Sequence, residues 1–129
     1  MTTTVPDTVE SLLTSERLIG HLATSLNDRP HAAPVWYYYE NDTVEIVTGG
    51  RKLANIRENS RVALSIQQDD GGHTEWMVSL LGTATVVGDE AAFKAANRRI
   101  NEKYDADENA YDENTLVRIS IGSVNYRTY

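Results

Sequence analysis

The amino-acid sequence predicts a mainly β fold, in which six strands form a mostly antiparallel barrel with two or three short helices attached. Short segments of alternating apolar and polar residues recur along the chain, and Gly, Asn and Asp residues separate them. Only two segments show clear helical spacing. The predicted order is three strands, a helix, two strands, a helix and a last strand. Because helices do not alternate regularly with strands, a doubly wound parallel sheet is not expected.

The first half of the chain contains a predicted meander of three strands. Apolar residues alternate along residues 17–26, and residues 27–30, Asn-Asp-Arg-Pro, predict a turn. Residues 31–40 are rich in aromatic and β-branched side chains, which favour strands. Asn41-Asp42 predicts a tight turn into the third strand, residues 43–48.

The middle of the chain predicts a short helix followed by a hairpin. Leu53 and Ile56 lie one helical turn apart after two glycines, so residues 52–59 are predicted to be helical. Val62, Leu64 and Ile66 alternate with smaller or polar residues in a fourth strand. The turn sequence at residues 69–72, Asp-Asp-Gly-Gly, then joins this strand to a fifth, residues 76–87.

The last third predicts a helix and a final strand. Phe93, Ala96, Ile100 and Tyr104 fall on one helical stripe that begins after Asp89. A last strand follows, in which Val117, Ile119 and Ile121 alternate and which runs towards Tyr126, and residues 6–13 are compatible with a short opening helix. The acidic run at residues 105–113 is interpreted as a solvated loop.

Length and composition exclude several classes of protein. The 129 residues fit a single domain, residues 1–129, with a sizeable core. A net charge of -7 argues against a nucleic-acid partner, because phosphate backbones need a basic face. The absence of cysteine excludes disulfides and thiolate metal sites, and His21, His31 and His73 have no metal-ligand spacing, so no metal is expected. No apolar run is long enough to span a bilayer and no secretory signal is recognised, so we expect a cytoplasmic protein with no membrane partner.

The clearest candidate site is the segment Thr48-Gly49-Gly50-Arg51-Lys52. Two glycines allow close approach of a ligand to the backbone, the following helix offers free N–H groups, and two bases add positive charge. These are the components of an anion site. An ordinary glycine turn before a solvated helix remains the alternative interpretation. The spacing matches neither the Walker nor the Rossmann pattern, so a nucleoside triphosphate is not indicated.

The sequence resembles the pyridoxamine 5'-phosphate oxidase-like superfamily from Arg17 to about Tyr104. No single motif carries the resemblance, which comes from the order and spacing of four motifs. They are Leu-Ala-Thr-Ser at residues 22–25, Arg-Pro-His-Ala-Ala-Pro-Val-Trp at 29–36, Lys-Leu-Ala-Asn-Ile-Arg-Glu-Asn-Ser-Arg-Val-Ala-Leu at 52–64 and Leu-Gly-Thr-Ala-Thr-Val-Val at 81–87.

The resemblance implies a split barrel that forms a homodimer, with two cofactors held in clefts between the subunits. In this family a Lys at the start of the short helix, with a Thr and a basic residue before it, holds the cofactor phosphate. These roles fall on Lys52, Thr48 and Arg51, with Gly49 and Gly50 between them. The second strand lies along the flavin ring, which implies ring contacts for Pro34, Val35 and Trp36. A residue near the start of the fifth strand often faces the ring, and here it is Met77.

The departures from the family pattern narrow the predicted function. Ala33 replaces an Arg, and Gly50 a Ser, that many phosphate-binding members carry, which predicts a weaker or altered grip on the phosphate. The C-terminal residues 123–129 contain Arg127 but no His, so the substrate is not expected to be pyridoxamine phosphate. We predict an FMN-dependent oxidoreductase, with a deazaflavin as the alternative cofactor, acting on an unknown small-molecule acceptor. Flavin chemistry needs no catalytic side chain, and the sequence identifies none.

Two other hypotheses remain open at this stage. One is a non-catalytic module that binds or senses a flavin, a deazaflavin or, with less support, haem. The other is a cofactor-free structural dimer. Individual side chains also have simpler interpretations: Trp36 as barrel core or dimer packing, Tyr37, Tyr38 and Tyr39 as interface packing, and His31 as a polar surface residue.

Overall fold

Seven antiparallel strands in one sheet and three helices make up the computed structural model, which describes residues 4–129. The strands are β1 (Gly20–Leu26), β2 (Arg29–Val35), β3 (Tyr38–Glu40), β4 (Thr43–Thr48), β5 (Arg61–Asp70), β6 (His73–Val87) and β7 (Thr115–Thr128). The helices are α1 (Asp7–Leu13), α2 (Gly50–Glu58) and α3 (Glu90–Lys103). The predicted class, a mainly β split barrel with helices attached, is confirmed.

The sheet curls but does not close. Its strand order is β2-β1-β5-β6-β7-β4-β3, so β2 and β3 occupy opposite edges. Only Trp36 and Tyr37 separate these two strands in the chain. Because two residues span only a short distance, the two edges must lie near each other without pairing. This open seam makes the barrel a split one.

The predicted number of six strands is wrong by one, because residues 31–40 form two strands. The break comes at Tyr37, whose backbone groups bond to side chains at the end of α3. Tyr37 N–H donates to Tyr104 Oη at 3.3 Å, and Tyr37 O accepts from Lys103 Nζ at 2.9 Å. These contacts replace the hydrogen bonds that a continuous strand would make.

Other elements begin or end a few residues from their predicted boundaries. β1 begins at Gly20 rather than at residue 17, and Tyr104 Oη donates to the carbonyl of Leu18 at 2.6 Å just before it. The predicted turn at residues 27–30 contracts to Asn27 and Asp28, which both have positive φ, as a type I′ hairpin turn requires. The predicted turn at residues 69–72 likewise contracts to Gly71 and Gly72, because Asp69 and Asp70 pair with β6. The helix after Asp89 and the opening helix are confirmed.

The core lies inside the curled sheet, beneath α1 and α2. Its largest fully buried side chains come from every part of the chain and include Tyr37, Leu13, Leu22, Ile46, Leu64 and Ile119. Tyr37 Oη donates to the carbonyl of Leu13 at 2.7 Å, which fastens α1 to the seam. Burial raises the pKa of the Tyr37 phenol, so the side chain stays neutral and able to donate.

Helix α3 is attached to the sheet through a buried carboxylate. Glu45 on β4 accepts from Arg99 on α3 at 2.6 Å and from Arg118 on β7 at 2.9 Å. Burial opposes the charge on Glu45, but the hydrogen bonds from Arg118 and Arg99 outweigh it and hold its pKa below the ordinary value. The ion pairs fix α3 over β4, where the helix forms one wall of the candidate site.

Candidate functional site

A cavity of about 650 Å³ lies where β2 and β4 end, beside the open seam. Its strand side is formed by Ile19, Pro34, Val35, Trp36, Val47 and Thr48, followed by Gly49, Gly50 and Lys52 at the start of α2. Its opposite side is formed by Asn97, Ile100 and Asn101 of α3 and by Tyr111 and Asn114 of the next loop. This volume lies within the range of small-molecule and cofactor sites.

The structure brings together seven of the nine residues predicted to bind a cofactor. Pro34, Val35, Trp36, Thr48, Gly49, Gly50 and Lys52 all line this cavity. Arg51 instead lines a second cavity on the other side of α2. Met77 is half-buried on β6, opposite Gln67 and Arg127, and lies outside both cavities.

The cavity is electropositive in an acidic chain. The sequence contains 19 Asp and Glu residues, yet none of the described residues around the cavity is acidic. The Lys52 side chain is half-buried and has no ion pair or hydrogen bond within residues 4–129. An ammonium group that is partly removed from water attracts an anion more strongly than one that is fully hydrated. Lys52 and the buried Thr48 can therefore hold an anionic group of a ligand.

The backbone turn between β4 and α2 depends on glycine. A Cβ atom on Gly49 would lie 3.0 Å from Oδ1 of Asn114, so a side chain there would push this loop residue away from the cavity. Gly50 has φ of +64°, a conformation that other residues adopt only with strain. The difference from the family pattern at position 50, Gly in place of Ser, thus lies where this chain adopts a left-handed backbone.

Trp36 forms a rigid aromatic wall. Its indole stacks on the ring of Tyr104 with a centroid distance of 4.8 Å and an interplanar angle of 1°, and Tyr111 contacts it edge-on at 5.4 Å. Burial raises the pKa of Tyr104 to about 12. Because Tyr104 is held by its hydrogen bond to Leu18, the indole cannot rotate freely.

Sequence reasoning missed the side of the cavity formed by α3 and the loop after it. The Nδ2 atoms of Asn97 and Asn101 both donate to the carbonyl of Ala110 at 2.9 Å, which fastens the acidic loop to the helix beside Tyr111. Asn97, Ile100 and Asn101 share a helical face at spacings of three and four residues. The signal available in the sequence was two amides beside the apolar stripe of this helix.

Lys103, at the open seam, makes the stability of the folded protein depend on pH. Its Nζ lies 3.8 Å from the ring centroid of Tyr37, and burial lowers the pKa of the ammonium group from 10.5 to about 8. The unfolded chain therefore binds this proton more tightly than the folded protein does. Below pH 8 the charge costs stability, and the cost disappears as pH rises from about 8 to 10.5.

We expect wild-type protein to gain stability relative to Lys103→Met between pH 7.5 and pH 10. The gain should be about 1 kcal/mol, less than the full pKa shift implies, because the side chain is partly exposed and screened. Urea denaturation of both proteins at each pH measures the difference. The exposed Lys94→Met is the control, and an equal pH trend in both variants would contradict the role given to Lys103.

Comparison with known proteins decides the family. The sequence profile of the pyridoxamine 5'-phosphate oxidase family matches residues 6–128, nearly the whole chain. The chain belongs to this family. The predicted resemblance, drawn from residues 22–25, 29–36, 52–64 and 81–87, is confirmed. No protein with a curated description matches the sequence.

Solved structures with a similar fold belong to proteins that are named for different cofactors. An F420 reductase is 25% identical with a TM-score of 0.75, covering 94% of this chain and 98% of its own. An FAD-binding protein from Mesorhizobium loti is 20% identical with a TM-score of 0.76, covering 100% and 99%. The haem storage protein HutZ from Vibrio cholerae is 13% identical with a TM-score of 0.76, covering 95% and 93%. The last two likenesses concern the fold alone.

The described residues were also compared with the requirements of a membrane-spanning helix and of a metal site. No helix within residues 4–129 is long and apolar enough to cross a membrane. Within the same residues, no three His, Asp or Glu side chains converge as a metal site requires.

Proposed function

We propose that this member of the family is an oxidoreductase that binds FMN as its cofactor, with a deazaflavin as the alternative cofactor. The observation that carries the proposal is the half-buried, unpaired Lys52 beside Thr48 in a cavity without acidic side chains. A phosphate would provide the anion that Lys52 lacks. The indole of Trp36 and the apolar side chains of Val35 and Ile100 suit a planar ring.

The protein's part in such a reaction is to position and shield. Lys52 and Thr48 would hold the phosphate, and the backbone of Gly49 and Gly50 would lie against the ligand. Trp36, fixed by Tyr104, would limit water access on one side. When bound, a flavin or deazaflavin supplies the hydride or two-electron chemistry itself, so the chain needs only to orient it towards a small acceptor.

Titration of the purified protein with FMN and with a deazaflavin tests the proposal. We expect a perturbed visible spectrum and saturable binding of at least one of them. If neither binds, the flavin proposal is wrong.

A second candidate function is binding or sensing without turnover. The cavity supports it because its described polar side chains are Thr48, Lys52, three asparagines and Tyr111, none an obvious general acid or base at neutral pH. None of the three histidines lines this cavity, and Tyr111 is the one described lining residue of a type that ligates haem iron, so haem is the weaker ligand. Reoxidation of bound reduced flavin by a small acceptor, faster than that of free flavin, would favour the enzyme.

We further propose that the protein is a homodimer with the cofactor at the subunit interface. The outer face of the sheet carries uncharged rows across five strands: Ala32, Ala23, Ala63, Leu81 and Ser123 in one, and Pro34, His21, Ser65, Ser79 and Asn125 in the next. In a chain with 24% charged residues, such a face is suited to burial. Pro34 belongs both to this face and to the cavity. Met77, on the same outer face, would then contact the cofactor of the partner.

Leu81→Arg should disrupt this dimer. Leu81 is 57% exposed and lies between Ala63 and Ser123 in its row, and an unpaired guanidinium buried there would cost several kcal/mol of association energy. Light scattering across a concentration series is expected to show a dimer for wild type and a monomer for the variant. Ala91→Arg, at an exposed position on α3, is the control. A wild-type monomer would refute the shared-cleft arrangement.

A further inference from the structure

The loop between α3 and β7, residues 105–114, lies between two spaces. Its Tyr111 lines the first cavity, which is the one proposed to hold the flavin, whereas the next residue, Asp112, lines a groove of about 490 Å³ between the loop and α3. Asn97 of α3 lines both the cavity and the groove. None of the side chains of this loop is buried. The α3–β7 loop therefore forms a thin wall of the cavity that has no part in the hydrophobic core.

Two asparagine side chains of α3 attach this loop. The Nδ2 atoms of Asn97 and Asn101 both donate to the carbonyl of Ala110 at 2.9 Å, and Asn101 also donates to the carbonyl of Glu108 at 3.3 Å. Arg98 forms an ion pair with Glu108 at 3.7 Å, but both side chains are exposed, so the pair contributes little. The position of the α3–β7 loop thus depends mainly on the two amides.

The observed position of the loop leaves polar groups unsatisfied. Asn97 is 3% and Asn101 1% exposed, and the Oδ1 atom of each is buried without a hydrogen-bond partner within residues 4–129. Such an oxygen would regain a hydrogen bond to water if the loop moved away. Tyr111 has φ of +61°, a left-handed conformation that is strained for a bulky side chain. Opening of the loop would therefore satisfy the two oxygens and relieve the strain at Tyr111.

The contacts that favour the observed position are few. The ring of Tyr111 packs edge-on against Trp36 at 5.4 Å, and the two asparagines supply the hydrogen bonds to Ala110. Since the unpaired oxygens and the backbone strain oppose these contacts, opening requires little free energy, as is typical of segments without buried apolar side chains. Movement of the loop away from α3 would join the cavity to the groove and uncover Trp36.

We propose that the α3–β7 loop is a movable cover of the first cavity, and that Asn97 and Asn101 are positioning residues that determine how often it opens. A ligand would enter and leave on the side of Tyr111 while the loop is open. Once the loop closes, Tyr111 would limit the access of water to the aromatic wall formed by Trp36. The cover rests on the proposed function only in naming a flavin as the ligand.

The first test needs no ligand and measures how accessible Trp36 becomes. Trp76→Phe leaves Trp36 as the only indole, because the sequence contains two Trp residues. Quenching of its fluorescence by acrylamide is compared with and without Asn97→Ala, and circular dichroism checks that each protein is folded. We expect Asn97→Ala to raise the quenching constant about twofold, since the loop loses one of its attachments. Asn101→Ala, the second variant, should act in the same direction.

Asn55→Ala is the matched control for the loss of a buried amide. Asn55 is a buried asparagine of α2 that donates to Thr24 Oγ1 at 3.0 Å, so its replacement removes a comparable hydrogen bond away from the loop. The quenching constant of this variant should stay at the value of the parent protein. An equal rise in Asn55→Ala and Asn97→Ala, or a rise in neither, would overturn the cover.

The second test measures the association and dissociation of FMN by stopped flow. A cover limits both steps, so Asn97→Ala should raise both rate constants about fivefold and change their ratio, the Kd, less than about twofold. A rise in the dissociation rate constant alone would show that the loop is a fixed wall in contact with the ligand, and would overturn the cover. If wild type binds neither FMN nor a deazaflavin, the flavin proposal fails, whereas a higher quenching constant in Asn97→Ala would still support the cover.

Discussion

Gly82→Ala should destabilise the protein by about 3 kcal/mol, lowering its melting temperature by roughly 10 °C. Gly82 lies where the pairing of β6 with β7 shifts register. A Cβ atom there would lie 2.5 Å from the backbone oxygen of Ser120 and 2.8 Å from Cγ2 of Ile119. The backbone oxygen cannot move away without disturbing the longest strand pair of the sheet, so the clash has no inexpensive relief.

Gly88→Ala provides the matched control for this prediction. A Cβ atom at Gly88 meets nothing within 4 Å, and its φ is not in the left-handed region. The substitution should be neutral or slightly stabilising, because it reduces the freedom of the unfolded chain. Chemical denaturation measures both variants. Similar stability of the two variants would show that β6 and β7 can separate at the bulge without cost.

Lys52→Ala should weaken FMN binding by about 10- to 100-fold, which corresponds to the loss of a charge-assisted hydrogen bond. The side chain is half-buried in the first cavity, and within the described residues it has no partner in the protein. Riboflavin lacks the phosphate, so its affinity should change less than about threefold. The ratio of the two affinities isolates the contact with phosphate from any general damage to the cavity.

Lys94→Ala is the control for the loss of a lysine. Lys94 lies on the exposed face of α3, 3.3 Å from Glu90, and lines neither of the cavities beside α2. Its removal should leave both affinities unchanged. Equal loss of FMN and riboflavin binding in Lys52→Ala would mean that Lys52 supports the shape of the cavity and does not hold the phosphate.

The candidate site was predicted well where it is continuous in sequence and poorly where it is not. Residues 48–52 combine glycines, a helix start and two bases, and the chemistry of an anion site could be inferred from that composition alone. Asn97, Asn101 and Tyr111 reach the same cavity only because Glu45 holds α3 over β4. No local pattern in α3 specifies that placement.

The split of residues 31–40 into two strands has a similar cause. Aromatic and β-branched side chains favour an extended backbone throughout, and the segment is indeed extended on both sides of Tyr37. The interruption depends on Lys103 and Tyr104, more than 60 residues away, which bond to the backbone of Tyr37. Long-range side-chain contacts of this kind leave no periodic signal in the strand itself.

The sequence by itself determined the family, the β-rich class and the anion-binding character of the segment from Thr48 to Lys52, because alternation, turn residues and motif order are local properties. Only the tertiary structure decided which cavity each charged side chain of that segment enters. Consecutive side chains on a helix point in directions about 100° apart, so the first turn of α2 sends Lys52 into one cavity and Arg51 into another. Which cavity each faces depends on the strands packed around the helix, and those come from distant parts of the chain.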